Sequence, residues 1–238
     1  MKRANVYLIP NTLGGESLSD IIPVDVQTIA ISLRTFFVEE IRSARRLLRK
    51  MDREFPIDDS TFFILNKKTA PENLNQMLKP VREGHDIAII SEAGCPGIAD
   101  PGANLVALAH QQKIQVAPLV GPSSILLALI GSGFNGQDFA FHGYLPRERK
   151  DRVKKMRDFE GDARRNNTTH IFMDTPFRNM HVLEDLLNEL SDETYISIAS
   201  NLTLPDETIR TMRVVDWREN AYDIGKIPAM FSIGKLAH

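Results

Sequence analysis

The stretch that most restricts the fold is Ile87-Ala88-Ile89-Ile90-Ser91-Glu92-Ala93-Gly94-Cys95-Pro96-Gly97-Ile98-Ala99-Asp100-Pro101-Gly102. An apolar run enters a segment with three glycines and two prolines. Residues 103–112 then place Leu105, Val106, Leu108 and Ala109 at helical spacing. Strand, tight turns and helix form one unit of an α/β sheet. Its loop lies at the carboxyl end of a parallel strand, where open α/β sheets bind ligands. Glycine admits positive φ and close approach of a ligand, and proline fixes φ and removes a donor. The punctuation recurs downstream. Residues 115–120 are mostly apolar, Gly121-Pro122-Ser123-Ser124 follows, and 125–130 is an apolar, helix-like run.

A chain of 238 residues is long enough for two such domains. The bend at 118–122 divides it into an N-terminal α/β domain, 1–118, and a C-terminal α/β domain, 119–238. A net charge of −2 excludes a globally basic nucleic-acid binder, so RNA contact requires a local patch. No apolar run reaches membrane-span length, and residues 1–5 lead into a short strand rather than a signal peptide. The single cysteine, Cys95, excludes internal disulfides. The six histidines are scattered, so no metal site is expected. A cytoplasmic protein is the expectation.

Along the chain, strands are expected at 6–9, 35–38, 61–65, 87–90, 139–141, 169–173, 195–199, 207–215 and 227–233. Helices are expected at 24–33, from near Glu40 onward, and at 71–82, 147–165 and 182–190. On the helix near Glu40, Arg42, Arg45, Arg46 and Arg49 share one broad face. That face either meets RNA phosphate or is a solvated surface of Glu–Arg pairs. Residues 147–165 hold nine basic and five acidic side chains, a second positive stretch open to the same two readings. His142, isolated at a strand end, reads as a packed side chain.

SEAGCPGIADPG followed by PLVGPSS resembles the signature of the small-subunit ribosomal RNA ribose 2′-O-methyltransferases, within the wider tetrapyrrole (corrin/porphyrin) methylase superfamily. That signature usually reads S-D-A-G-T-P-x-I-S-D-P-G and then P-L-P-G-P-S. Gly94, Pro96, Ile98, Asp100, Pro101 and Gly102 stand as in the family; Glu92, Cys95 and Ala99 replace Asp, Thr and Ser. Glu39 to Leu48 resembles A-E-D-T-R-x-T-R-x-L-L, with Glu39, Arg42, Arg45, Leu47 and Leu48 matching. Three departures stand out. Asn66-Lys67-Lys68-Thr69 lacks a family histidine, Phe177 replaces the histidine of E-S-P-H-R, and Ser200-Asn201-Leu202-Thr203 stands where the family has R-E-L-T.

The resemblance implies two α/β domains of the tetrapyrrole methylase type with a cofactor cleft between them, a homodimer, and S-adenosyl-L-methionine as methyl donor. It implies ribosomal RNA or the small ribosomal subunit as partner. Pro10, Gly94, Cys95, Pro96, Ile98, Asp100, Pro122, Ser123 and Ser124 are the expected cofactor contacts in the loops. Met173, Ala229 and Met230 are expected from the C-terminal domain.

A sulfonium is cationic and carries no phosphate, so a Gly/Pro-bent loop exposing carbonyl oxygens suits it; Gly94, Cys95 and Pro96 are placed to do this through the main chain. Asp100 either accepts hydrogen bonds from the cofactor or caps the helix after Pro101. A ribose hydroxyl needs its proton removed before attack. Glu39 is the first candidate general base, with Arg42 orienting it or the RNA backbone; Glu92 and Asp100 are alternatives. Two competing functions stay open: a tetrapyrrole-type small-molecule methylase, and a non-catalytic binding protein on the cofactor fold. The first loop, Pro10-Asn11-Thr12-Leu13-Gly14-Gly15, lacks the G-x-G-P-G-D usual in tetrapyrrole enzymes.

Overall fold

The computed structural model describes residues 4–220 and 222–236. The reading of residues 1–3 as leading into a strand lies outside them. The chain forms two compact units, 1–123 and 124–238.

Unit 1 is a parallel five-stranded sheet. Its strands are β1 (Asn5–Ile9), β2 (Thr35–Val38), β3 (Thr61–Ile64), β4 (Ile87–Ile90) and β5 (Gln115–Pro118), in the order β3-β2-β4-β1-β5. β4 sits centrally and is buried at all four positions, as its unbroken apolar sequence requires in a sheet covered on both faces. Successive side chains point to opposite faces. Phe36, Val38, Ala88 and Ile90 therefore pack on one face, with Leu47, Leu48 and Phe55. Phe37, Ile87 and Ile89 pack on the other, with Leu78 and Leu105. The first face is covered by α1 (Val24–Ser32) and α2 (Ile41–Met51); α5 (Gly102–Gln111) lies on the second.

The helix expected at 71–82 is two, α3 (Pro71–Met77) and α4 (Lys79–Arg82). Pro80 has no N–H, and its ring would collide with the carbonyl four residues earlier, so the first helix closes at Leu78.

Unit 2 opens with α6 (Ser124–Ser132) and carries a mixed sheet. Its strands are β6 (Phe139–Tyr144), β7 (Thr169–Met173), β8 (Tyr195–Ser200), β9 (Thr208–Arg213) and β10 (Ala229–Gly234), in the order β6-β7-β10-β8-β9. Only β6 and β7 pair in parallel. α7 (Arg149–Asn166), α8 (Asn179–Glu189) and α9 (Val214–Glu219) contribute Met156, Phe159, Leu186 and Trp217 to the core on one face. The strand expected at 207–215 stops at Arg213, and α9 follows. Val214 and Trp217 are buried at helical spacing, and Trp217 Nε1 donates to Ile196 O at 3.1 Å.

Candidate active site

Five loops leave the carboxyl edge of the unit 1 sheet, and those after β1, β4 and β5 are tied together. The loop after β1 donates from Asn11 N to Gly94 O at 2.9 Å, and from Asn11 Nδ2 to Ser91 O and Glu92 O at 3.1 and 3.0 Å. Ser91 Oγ also donates to Gly94 O, at 3.0 Å. The Gly94 carbonyl, expected to face a sulfonium, is thus already shared by two donors of the protein. Gly94 has φ of 67°, where an L side chain is strained, and a Cβ there would lie 3.3 Å from Leu13 Cδ2. The loop after β5 closes on the same group. Cys95 Sγ donates to Pro122 O at 3.3 Å, and a Cβ on Gly121 would lie 2.2 Å from Pro10 Cβ. Burial raises the Cys95 thiol above its ordinary range, so it stays protonated and acts as a donor, as the family threonine hydroxyl would.

Asp100 organises the turn from within. It accepts from Gly97 N at 2.9 Å and from Gly102 N at 2.7 Å, which satisfies the start of α5. Of its two expected roles, the capping one is visible. Ile98 lies on the outside of this turn and is half exposed.

A fourth loop, after β2, brings Glu39 to the same recess as Asp100, Val38, Ile90 and Pro101. Burial raises the Glu39 carboxyl above the usual range; the like charges of Asp100 and Glu92 add to this, and Lys67 opposes it. Next to it Glu40 caps α2, accepting from Arg42 N at 2.9 Å and Ser43 N at 2.7 Å. Both Glu92 carboxylate oxygens lie 2.8 Å from Ser43 Oγ, which joins the β4 loop to the first turn of α2. Arg42 is exposed in that turn. Sequence reasoning missed Asn11 and Ser43, the side chains that hold the loops together. No spacing marks them, because their partners lie far along the chain.

In unit 2, Met173 and Met230 are paired residues of β7 and β10, and Ala229 pairs with Ser200 of β8. Ser124 is the first residue of α6. Beside these strand ends Asn179 Oδ1 and Ser200 Oγ are buried and, among the described residues, have no hydrogen-bond partner. Such atoms suit the polar edge of a nucleoside. In unit 1, the Glu92 and Asp100 carboxylates of the glycine-bent loop suit a cationic donor. The residues present therefore fit S-adenosylmethionine. A cavity of about 680 Å³ in unit 2, lined by Glu160, Arg164, Glu193 and Lys235, lies at the other end of that sheet and holds none of the expected site residues. No group of three or more His, Cys, Asp or Glu among the described residues is placed to hold a metal ion.

Four arginines of the second basic stretch, Arg149, Arg152, Arg157 and Arg164, pair with carboxylates of the protein itself. Arg152 is buried against Asp185 at 2.7 Å; Arg149 binds Asp185 and Glu189, each at 2.8 Å; Arg157 binds Glu189 at 2.5 Å. On α2, Arg42, Arg45, Arg46, Arg49 and Lys50 are all exposed; Lys50 pairs with Glu16, Arg49 reaches Arg53 O and Arg45 lies over Phe62, while the buried residues are Ala44, Leu47 and Leu48.

This parallel sheet with a glycine-bent loop after β4, joined to a mixed sheet, places the chain in a class. The chain belongs to the tetrapyrrole (corrin/porphyrin) methylases, a family of methyltransferases, which it matches over residues 30–216. It is 32% identical to ribosomal RNA small subunit methyltransferase I of Vibrio cholerae over 211 residues, 89% of this chain and 69% of that protein. It is 30% identical to the protein of the same name from Escherichia coli O157:H7, over 87% of this chain and 68% of that one. Among solved structures, the methyltransferase CobJ shares the fold with a TM-score of 0.62 at 19% identity, covering 99% of this chain and 95% of that one. Cobalt precorrin-4 methyltransferase does so with a TM-score of 0.60 at 17% identity, covering 97% and 94%.

Proposed function

We propose that this methyltransferase takes its methyl group from S-adenosylmethionine and transfers it to a ribose 2′-hydroxyl of small-subunit ribosomal RNA. The observation that carries the chemistry is Glu39, set at the carboxyl edge of the sheet beside Asp100 and the glycine-bent loop. The acceptor is argued from the relatives named above, and from the exposed arginines that follow Glu39 on α2. The corrin enzymes share only the fold, so the small-molecule reading has no comparable support.

S-adenosylmethionine, when bound, supplies an activated methyl group on a sulfonium. Pro10, Gly94, Cys95, Pro96, Ile98, Asp100, Pro122 and Ser123 are its proposed contacts in unit 1, and Ser124, Met173, Ala229 and Met230 those in unit 2. Glu39 takes the proton of the attacking hydroxyl. Its proton affinity is raised by burial and by the like charges of Asp100 and Glu92, the direction that strengthens a carboxylate base. Arg42 positions an RNA phosphate one turn away. The enzyme acts in the cytoplasm as a homodimer; among the described residues, no helix is long and apolar enough to cross a membrane.

Glu39→Gln tests the assignment. Turnover should fall by roughly 10²- to 10⁴-fold, the usual worth of a general base, while cofactor binding measured by calorimetry stays unchanged. Full turnover in this variant would remove Glu39 from the mechanism.

A further inference from the structure

Three loops of unit 2 gather at the end of the sheet where Met173 and Ala229 lie. One follows β6, one follows β7, and one precedes β10. Tyr144 pairs with Met173 in the β6–β7 register, so the two parallel strands end side by side. The chain after β7 makes a 3-10 turn, Pro176–Arg178, and directs Phe177 outward with 75% of its surface exposed. Exposing a phenylalanine to this degree forgoes its burial energy, and the turn that does it is well anchored. Arg178 N donates to Thr175 O at 2.8 Å, and the Arg178 guanidinium reaches Asp174 at 3.2 Å and Pro146 O at 3.2 Å. Asn179 Nδ2 donates to Ile227 O at 2.8 Å. These bonds fix the turn to the β6 loop and to the loop that carries Lys226. Lys226 Nζ stands 5.4 Å from the Phe177 ring centroid. A cation covers one face of the ring and the other is turned to solvent.

We propose that Phe177 is a stacking platform for an unpaired RNA base, with Lys226 neutralising the phosphate beside it. A flat ring carried on an anchored turn, exposed and flanked by a cation, matches the two surfaces of a single-stranded nucleotide, its base face and its phosphate. A duplex hides the base faces, so the platform selects a looped-out or single-stranded nucleotide. The inference rests on the RNA reading above and adds which part of unit 2 touches the RNA and what it reads.

The test uses the full chain and a short single-stranded RNA carrying one 2-aminopurine among pyrimidines, titrated by fluorescence at several salt concentrations. Phe177→Ala should weaken binding by about 5- to 150-fold, the range seen for one base stack, and leave the salt slope unaltered. Phe177→Trp should retain the affinity and report stacking through quenching. Lys226→Ala should lower the slope of log affinity against log salt by about 0.7, one phosphate contact on a single strand. Cofactor affinity and thermal midpoint should not move in any variant. If the parent binds the RNA and Phe177→Ala binds it equally, the platform is wrong and the RNA reading survives. If Phe177→Ala loses cofactor instead of RNA, the ring belongs to the cofactor site and the inference is overturned. If the parent binds no RNA, both readings fall.

Discussion

A methyl group on Gly121 would lie 2.2 and 2.4 Å from Pro10 Cβ and Cγ, so Gly121→Ala must push the loops after β1 and β5 apart. It should cost about 1–3 kcal/mol, typical of overpacking, measured from denaturant midpoints, and weaken cofactor binding. An unchanged midpoint would mean that these loops are not locked together. The histidines give a second prediction. His142 Nε2 and His170 Nδ1 are 2.9 Å apart, His170 Nε2 lies 2.9 Å from Asp162 Oδ2, and both rings stack on Phe159. Burial lowers both histidines, His142 to about 4; the neighbouring His170 and Lys155 add to the shift at His142, and Asp162 opposes it. A base depressed in the folded state is protonated first in the unfolded chain. Stability is therefore intact above pH 6.5 and is lost as pH falls from there toward 4. His142→Phe should flatten that loss in urea titrations at pH 7 and pH 5; an equal loss in the variant would place its source elsewhere. At this scale the sequence was partly legible. Glycines at positive φ announce themselves, as Gly94 and Gly97 did. The His142–His170–Asp162 chain did not, because it joins residues of β6, β7 and α7 that only folding brings together.

Helix α7 shows how composition misleads about an element. Nine basic residues in 147–165 read as either a phosphate-binding or a solvated surface, yet Arg149, Arg152 and Arg157 face the carboxylates of α8, Asp185 and Glu189. The sequence shows the charges but not which face of α7 packs on α8. The consequence is a separation of effects. Arg152→Ala leaves buried Asp185 with only the exposed Arg149 as partner, and should cost about 1–3 kcal/mol of stability, less than leaving the charge wholly unpaired. Lys150 and Lys154 are exposed, and changing both to Ala should leave stability alone while lowering RNA affinity and its salt dependence. Filter binding with parallel thermal melts checks both; a Lys150/Lys154 variant that binds RNA like the parent removes α7 from the electrostatic contact. Strand and helix identities were mostly readable from apolar period. The exceptions have local causes, as where Pro80 divides a helix and where the period changes from two to helical at Val214.

For the whole molecule, the α/β class was legible because β4 and its Gly/Pro loop leave few alternatives: a strand buried on both faces, followed by turns with positive φ at Gly94, Gly97 and Ala99. The chemistry was less so. Glu39 was a candidate from its motif alone, but its nearness to Asp100 shows only once β2 and β4 are neighbours. The central claim is that Glu39 and the loops around it serve methyl transfer to an RNA ribose. The most direct measurement incubates the purified protein with tritiated S-adenosylmethionine and, separately, small ribosomal subunits, free ribosomal RNA and uroporphyrinogen, then digests the labelled RNA to nucleosides. The account predicts label in ribosomal RNA, recovered as a 2′-O-methylnucleoside and lost with Glu39→Gln. Label in uroporphyrinogen, on a nucleobase, or in none of the three would contradict it.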